Sequence, residues 1–336
     1  MHKLFSAFLL MSSLYAAGHA QSAQSNLPPV RQIAQIELPG LPGFDELALA
    51  KGMVIITHPA ANTVDIFDPQ KRRLIGHVEG MSAPRGISVD EANQRVYIAN
   101  TGANNLVVIS TEDWQVKTLV PLNGSPESLL FVPSAQRLYI TLPEKESVAA
   151  VDLHTAHEIN AVTMSGRPES MAWDSKRMRL AVTLQDRKQV ALLTPELQLA
   201  GSFALNGSMP TSLVYDEQQD RYFLAIRYAV LELNAEDGAE IARMPAAGGI
   251  DQLWLDRQER ALYGVANGSF FVMSAGSRLG SPRELDLDVK GHTLAFDPQR
   301  KLIYVPGGRE GRSKLLILHR IGAEQPEATG SAVASK

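Results

Sequence analysis

The chain contains no cysteine. This absence excludes disulfide bonds, thiolate metal ligands, a cysteine nucleophile and a covalently attached c-type haem. The chain also lacks a large excess of charge of either sign. It has 32 Lys and Arg residues and 36 Asp and Glu residues, which give a formal net charge of −4. No segment has the basic stripe that binds a phosphate backbone, so we expect no nucleic-acid partner.

Long hydrophobic runs are absent beyond the N-terminus. There, Lys3 precedes an apolar stretch over residues 4–15, and small residues follow it up to Ala20. The stretch is shorter than the roughly 18–20 apolar residues that cross a bilayer, and this order of segments is typical of a secretory signal peptide. We therefore expect a signal peptide over 1–20 with cleavage after Ala20, a linker over 21–29, no membrane span, and a periplasmic or secreted protein.

What the chain does have is a repeat. A turn with Pro or Gly, a polar residue and two or three apolar positions recur seven times, at intervals of about 40 to 42 residues. The copies are GFDELALA (43–50), APRGISVD (83–90), SPESLLFV (125–132), RPESMAWD (167–174), MPTSLVYD (209–216), GIDQLWLD (249–256) and GHTLAFD (291–297). Such a period is typical of propeller blades with four strands per unit. The repeat predicts an all-β fold, a seven-bladed β-propeller of four-stranded antiparallel blades, as one domain over 30–320.

Residues 85–122 illustrate one blade. Short β-branched runs bounded by turn residues predict strands over 85–90, 95–99, 106–109 and 114–122. The last blade lacks a fourth strand at its C-terminal end, because residues 321–336 are small and polar and are expected to be disordered. Residues 30–38 match the fourth strands of other blades, so we expect this N-terminal strand to complete the last blade and close the ring. A closed ring needs no second copy, and we expect a monomer.

The segment VYIANTGANNLVVIST (96–111) resembles the YVTN-type repeat of bacterial secreted propellers in the group related to YncE. The resemblance extends over about 30–320 and is clearest in the second and third blades. It implies a propeller fold and a location outside the cytoplasm. Members of this family are similar mainly in architecture, so the resemblance does not by itself imply an activity.

The first strand of each blade is expected to line the central channel, with its opening residue at one mouth. The residues after each Pro, or its equivalent, are Asp45, Arg85, Glu127, Glu169, Thr211, Asp251 and His292. Because seven blades converge there, we predict a ligand-binding site at this mouth. Hard oxygen ligands without thiols favour Ca²⁺ or Mg²⁺ over zinc. The candidate metal ligands are Asp45, Glu46, Glu127, Glu169 and Asp251.

The connections between second and third strands open on the same face as this ring of residues. We predict that their polar side chains form a rim that contacts a ligand or a partner protein, since binding residues concentrate on loops held by rigid scaffolds. The candidates on this rim are His58, Asn100, Asn104, Glu144, Lys145, Gln185, Asp186, Arg187, Arg227, Asn267, Arg309 and Arg312, of which His58, Asn100 and Arg227 are the ones we assign to ligand binding.

Two kinds of function fit these residues. The first is a binding module that presents a polar, acidic channel mouth to a small molecule or a partner protein, which the lack of a recognisable nucleophile–base arrangement favours. The second is a hydrolase or lyase dependent on a divalent metal, with His292 or a carboxylate as base. The channel carboxylates are similar in placement to those of metal-dependent lactonases of the senescence-marker type, although those enzymes carry Pro-Asn-Gly where this chain carries Pro-Glu-Ser at 126–128 and 168–170.

Overall fold

Seven four-stranded antiparallel sheets make up the computed structural model, which describes Leu27 and residues 29–321. The predicted signal peptide, most of the predicted linker and residues 322–336 of the predicted tail lie outside the described residues. Within the described part of the chain, no helix is both long and apolar enough to cross a membrane.

The first three blades follow one another along the chain. Their strands are β2 (Leu47–Ala50), β3 (Met53–His58), β4 (Thr63–Asp68) and β5 (Arg73–Val78) in the first blade, β6 (Pro84–Asp90), β7 (Arg95–Asn100), β8 (Asn105–Ser110) and β9 (Val116–Pro121) in the second, and β10 (Leu129–Val132), β11 (Arg137–Leu142), β12 (Ser147–Asp152) and β13 (His157–Thr163) in the third.

The next three blades repeat this order. Their strands are β14 (Pro168–Asp174), β15 (Arg179–Leu184), β16 (Gln189–Leu193) and β17 (Leu199–Ala204) in the fourth blade, β18 (Leu213–Asp216), β19 (Arg221–Ile226), β20 (Ala229–Asn234) and β21 (Glu240–Pro245) in the fifth, and β22 (Leu253–Asp256), β23 (Ala261–Ala266), β24 (Ser269–Ser274) and β25 (Arg283–Asp286) in the sixth. Short 3-10 turns precede four of the strands, over Pro59–Ala61, Thr101–Ala103, Pro133–Ala135 and Pro143–Lys145.

The seventh blade combines the two ends of the domain. Its inner strands are β26 (Ala295–Asp297), β27 (Leu302–Arg309) and β28 (Arg312–Arg320), and its outer strand is β1 (Val30–Leu38), in the order β1-β28-β27-β26. β1 pairs antiparallel with β28 from Val30, opposite Arg320, to Leu38, opposite Ser313. The predicted closing strand is thereby confirmed, and so is the seven-bladed propeller.

The first strands of neighbouring blades contact one another in an unbroken cycle, which ends where β26 meets β2. They are therefore the innermost strands and surround the channel. The middle strands are buried on both faces because each blade lies between two others. In β7 and β8, for example, all residues except the first are buried. This double burial explains their continuous apolar sequences.

The outer strands differ from the middle ones. Burial alternates along β5, as expected of a strand with one face in water. Register shifts in the pairing of third and fourth strands recur in six blades, for instance between Val108 and Ile109. Such bulges increase the twist of the sheet edge. The fourth strand of the second blade begins at Val116, so the prediction that it begins at 114 was wrong, because Trp114 occupies a left-handed turn with φ 58°.

The aspartate that closes many copies of the repeat has a local role. Asp90 Oδ1 accepts a hydrogen bond from the amide of Asn93 at 3.1 Å, and Asp174 Oδ1 accepts one from the amide of Arg177 at 3.0 Å. An Asp side chain that binds the backbone ahead of it stabilises a tight turn. The aspartate therefore fixes the hairpin between first and second strands, on the face opposite the predicted mouth.

Gly86 allows the second and third blades to approach closely beside the channel. Its amide donates a hydrogen bond to the carbonyl of Glu127 at 2.9 Å. A Cβ atom at this position would lie 2.2 Å from that same oxygen and 3.0 Å from Ser128 Cα. Backbone atoms would have to move to admit a side chain.

We expect Gly86→Ala to lower the free energy of unfolding by about 1–3 kcal/mol, the usual cost of forcing atoms into a packed site. Chemical denaturation followed by circular dichroism measures this change. Gly76→Ala is the matched control, because a Cβ atom there meets nothing within 4 Å. Equal stability of the two variants would contradict this account of the interface.

Candidate functional site

Arg85 connects three successive blades at the channel mouth. Its Nη1 lies 3.2 Å from Asp45 Oδ2 on the first blade and 2.8 Å from Glu127 Oε1 on the third. Its side chain is 42% exposed, so the guanidinium group borders water while it joins the two carboxylates. The three residues predicted to meet at the mouth therefore do so.

His292 and Asp251 form a second charged contact, between the seventh and sixth blades. His292 Nδ1 lies 2.7 Å from Asp251 Oδ2, and both side chains are about two-fifths exposed. The backbones also meet, since the amide of Asp251 donates to the carbonyl of His292 at 3.0 Å. The Asp251 carboxylate raises the pKa of His292, which outweighs the lowering caused by burial.

Carboxyl groups outnumber cations at this mouth. Burial raises the pKa of Asp45 to about 7, with a further contribution from the charge of Glu127, while Arg85 partly opposes the rise. The pKa of Glu169 is also about 7, again through burial first and then through the charges of Glu127 and Asp251. Glu169 has no ion-pair partner among the described residues. Protons are therefore held at the mouth near neutral pH.

Glu46 lies between the first and second blades rather than in the open channel. Its Oε2 accepts a hydrogen bond from the amide of Ile87 at 2.9 Å. Burial, reinforced by the charge of Asp45, raises the pKa of Glu46 to about 8. In later blades a serine makes the equivalent link, for example Ser212 Oγ to the amide of Leu253 at 2.9 Å. Glu46 is thus an ionisable group in a position where other blades carry a neutral hydroxyl.

Thr211 occupies its predicted place in the ring, but its hydroxyl is engaged in a hydrogen bond to the backbone. Its Oγ1 donates to the carbonyl of Ile250 at 2.5 Å and so ties the fifth blade to the sixth. The fifth blade therefore contributes a structural contact to the mouth, whereas its neighbours contribute the charged groups of Glu169 and Asp251.

A set of threonines behind the ring escaped the sequence reasoning. Thr57, Thr141 and Thr183 are fully buried on the second strands of their blades. The Oγ1 of each accepts the amide of the residue after a ring position, at 2.9 Å, and those amides belong to Glu46, Ser128 and Ser170. The signal was available as a recurrent Thr near the end of the second strand, in MVIITH, RLYITL and RLAVTL.

Gln252 follows the ring residue Asp251 in the sixth copy of the repeat, a position that the sequence also places at the mouth. Its Nε2 donates to the carbonyl of Leu47 at 3.1 Å, and its Oε1 accepts from Thr293 Oγ1 at 2.6 Å. One side chain of the sixth blade thereby connects the seventh and the first. It reinforces the ring where the two ends of the domain meet.

Two of the rim residues assigned to ligand binding, His58 and Asn100, are not exposed on the rim. His58 is fully buried, with Nδ1 3.0 Å from Asp65 Oδ2 and Nε2 2.8 Å from the carbonyl of Leu41. Asn100 is also buried, where its Oδ1 accepts the amide of Ser82 and its Nδ2 donates to Asn105. These side chains turned inward because the loops themselves need polar partners. Arg227 is exposed, as a rim residue should be.

Among the residues that the structure describes, no group of three or more His, Cys, Asp or Glu is arranged to hold a metal ion. The carboxylates of Asp45 and Glu127 point to Arg85, and that of Asp251 to His292. Binding of Ca²⁺ or Mg²⁺ by the predicted ligand set stays a prediction, and these contacts would have to open for the metal to bind.

Comparison with known proteins supports the assignment of the fold and gives no information on the activity. No protein-family model and no curated protein matched the chain, so the resemblance to the YVTN-type propellers stays a prediction. Among solved structures, a chain of hydrazine synthase from Kuenenia stuttgartiensis is similar, with a TM-score of 0.72 and 12% sequence identity. The similarity covers 85% of this chain and 97% of that one. At this identity it shows a common fold alone.

The raised pKa values predict how stability depends on pH. The pKa of Glu46 is about 8 in the folded protein against 4.5 in an unfolded chain, so the folded state binds more protons between these values. The free energy of unfolding should therefore fall as the pH rises from about 5 to about 8.

Glu46→Gln removes this ionisation while its amide oxygen can still accept from Ile87, so the variant should show a shallower fall. Urea denaturation at a series of pH values measures it. Asp45 and Glu169 should leave a residual slope. Glu236→Gln, an exposed carboxylate on an outer turn, is the control and should follow the wild type. Parallel curves for Glu46→Gln and the wild type would contradict the assignment.

Proposed function

We propose that this protein is a periplasmic or secreted binding module whose channel mouth takes a small organic cation, or a basic side chain of a partner protein. The observation that supports the proposal best is the imbalance of charge at the mouth. Asp45, Glu127, Glu169 and Asp251 converge there with Glu46 beside them, and fewer cations compensate them, namely Arg85, His292 and, near Glu127 and Glu169, Arg167.

Glu169 is the residue most available to a ligand in this arrangement. It lies between Glu127, which is engaged by Arg85, and Thr211, whose hydroxyl is engaged by backbone. Its pKa of about 7 reflects burial and the negative charges of Glu127 and Asp251, which the positive charge of Arg167 partly opposes. A bound cation would lower that pKa, so binding should release protons at neutral pH and strengthen as the pH rises.

The scaffold suits a binding role because it holds these groups in fixed positions. Backbone and threonine hydrogen bonds support the start of several first strands, as Thr141 does for Ser128 and Thr183 for Ser170. Side chains on rigid elements lose little freedom when a ligand binds. The mouth can therefore discriminate ligands by charge and spacing.

The contact between His292 and Asp251 favours a second candidate, a hydrolase or lyase. A carboxylate that orients an imidazole is the arrangement of many general bases, and Nδ1 towards Asp251 leaves Nε2 to act. The raised pKa of His292 opposes this use, because a base must be unprotonated to accept a proton. This chain also lacks the Gly-x-Ser-x-Gly elbow of many hydrolases.

Binding of 1,4-diaminobutane, measured by calorimetry in buffers of different ionisation enthalpy, tests the proposal. The wild type should bind it with release of protons, more tightly at pH 8 than at pH 6. Glu127→Gln combined with Glu169→Gln should weaken binding by about tenfold or more, because two carboxylates that contact the amine lose their charge. Glu144→Gln, on an exposed turn of the same face, should bind as the wild type does.

Two outcomes would contradict the proposal. One is the absence of amine binding, and the other is equal binding by the double variant. Titration with Ca²⁺ and Mg²⁺ and elemental analysis of the purified protein separate the two candidates. A stoichiometric divalent ion, lost in the double variant, would favour the metal-dependent hydrolase or lyase.

A further inference from the structure

Arginines at the start of the second strand link successive blades on the face opposite the channel mouth. Arg137, Arg179 and Arg221 occupy this position in the third, fourth and fifth blades. Each donates a hydrogen bond to a backbone carbonyl in the turn between the third and fourth strands of the following blade. The acceptors are Pro195, Ala235 and Ala275, respectively. We call this contact the arginine clasp.

The clasp is a structural contact where it is complete. The Arg221 side chain is 2% exposed, and its Nε lies 3.1 Å from Asp216 Oδ2. Its Nη2 reaches Ala275 at 2.7 Å, and its Nη1 pairs with Glu232. A buried guanidinium group with several charged and carbonyl partners is well compensated. In these interfaces the arginine fills the space between blades.

Arg95 holds the same position in the second blade but makes no clasp. It forms no hydrogen bond to the turn after β12 and no ion pair among the described residues, and it is exposed. Asp90, five residues earlier, is engaged by the side chain of Asn93 at 2.7 Å instead. The guanidinium group of Arg95 lies close enough to the Tyr97 hydroxyl to act on the pKa of that group, and its other donors have no partner among the described residues at the interface of the second and third blades.

A cleft occupies the space that the clasp fills elsewhere. Its volume is about 960 Å³, and a smaller hollow of about 400 Å³ adjoins it, with Arg95 and His154 bordering both. These volumes are in the range of sites for small organic ligands. Phe131, Leu153 and Ile159 supply an apolar wall.

Three carboxylates, those of Asp90, Glu91 and Asp152, line the larger cleft, and each of them accepts a backbone amide. Asp152 Oδ1 accepts from the amides of His154 and Thr155, and Glu91 Oε1 accepts from the amide of Lys51. Glu112 and Lys117 border only the smaller hollow. Two arginines line the larger cleft, and Arg137 is engaged by its clasp to Pro195, whereas Arg95 has no clasp and no ion pair among the described residues.

We propose that this cleft binds a small organic acid, with the carboxylate on Arg95 and an apolar or aromatic body against Phe131, Leu153 and Ile159. The carboxylate supplies the oxygen acceptor that a turn carbonyl supplies to Arg137, Arg179 and Arg221. Arginine matches a carboxylate in a two-point contact, which gives geometric selectivity as well as attraction. The cleft and the channel mouth lie on opposite faces, so this proposal does not rest on the proposed function.

Ligand-observed NMR titration with N-acetyl-L-phenylalanine and with N-acetyl-L-phenylalaninamide tests the proposal, because the two probes differ in the carboxylate. The wild type should bind the acid about tenfold or more tightly than the amide. Arg95→Gln should abolish this preference, with an unchanged melting temperature because the side chain is exposed. Arg73→Gln removes an exposed arginine of the same face in the first blade and should behave as the wild type.

Ile159→Asp provides a second variant that does not alter Arg95. It places a negative charge on the apolar wall and should weaken binding of the acid more than binding of the amide. Equal affinity for the two probes in the wild type would overturn the proposal. So would an undiminished preference in Arg95→Gln, or no binding of the acid up to its solubility limit.

Discussion

The pairing of β1 with β28 is the interaction on which the rest of this structure depends. The C-terminal part of the domain supplies only three strands to the seventh blade, and β28 would otherwise present an unpaired edge. β1 covers that edge along its length and ends at the buried Leu38. Closure brings β26 against β2 and so fixes every first strand around the channel.

Closure also explains the electrostatics of the mouth. Residues far apart in sequence, such as Asp45 and Asp251, are held at one opening and cannot move apart to relieve repulsion between their charges. Arg85 neutralises part of this charge by joining the first and third blades, and His292 neutralises part of the remainder. Burial is the main cause of the raised pKa values of Asp45 and Glu169, both about 7, and the charge that is not neutralised adds to it. The fold therefore holds protons that a cation can displace.

Sequence reasoning succeeded where a feature recurs with the period of the blades. The repeat predicted the blade number, the convergence of Arg85 with its two carboxylates, and the closing strand over residues 30–38, because each follows from the geometry of a ring. It did not succeed for side chains whose direction depends on local contacts. His58 and Asn100 end the second strands of their blades, at the expected edge, yet both side chains turn inward to buried polar partners.

Glu46 shows the same limit in a different way. Its place beside the mouth followed from the repeat, but its bond to the amide of Ile87 depends on how the second blade packs against the first. In the fifth blade Ser212 makes the corresponding bond with a neutral group. The period of the repeat identifies the position. The residue that occupies it, Glu or Ser, decides whether the position is ionisable.

Both candidate sites arise where one copy of the repeat departs from the others. Ser212 has a structural role because its hydroxyl accepts the amide of Leu253 in the next blade, and Arg221 has one because a turn carbonyl accepts its hydrogen bond. Glu46 has a carboxyl group in place of that hydroxyl and is therefore ionisable. Arg95 lacks that carbonyl acceptor, so its guanidinium group can bind a ligand. In both cases the second and third strands of the blades concerned are buried as they are in the other blades. Each of these two changes affects one interface between blades, and the remaining interfaces still hold the ring closed. A closed ring can therefore carry a cation site at one face and an anion site at the other.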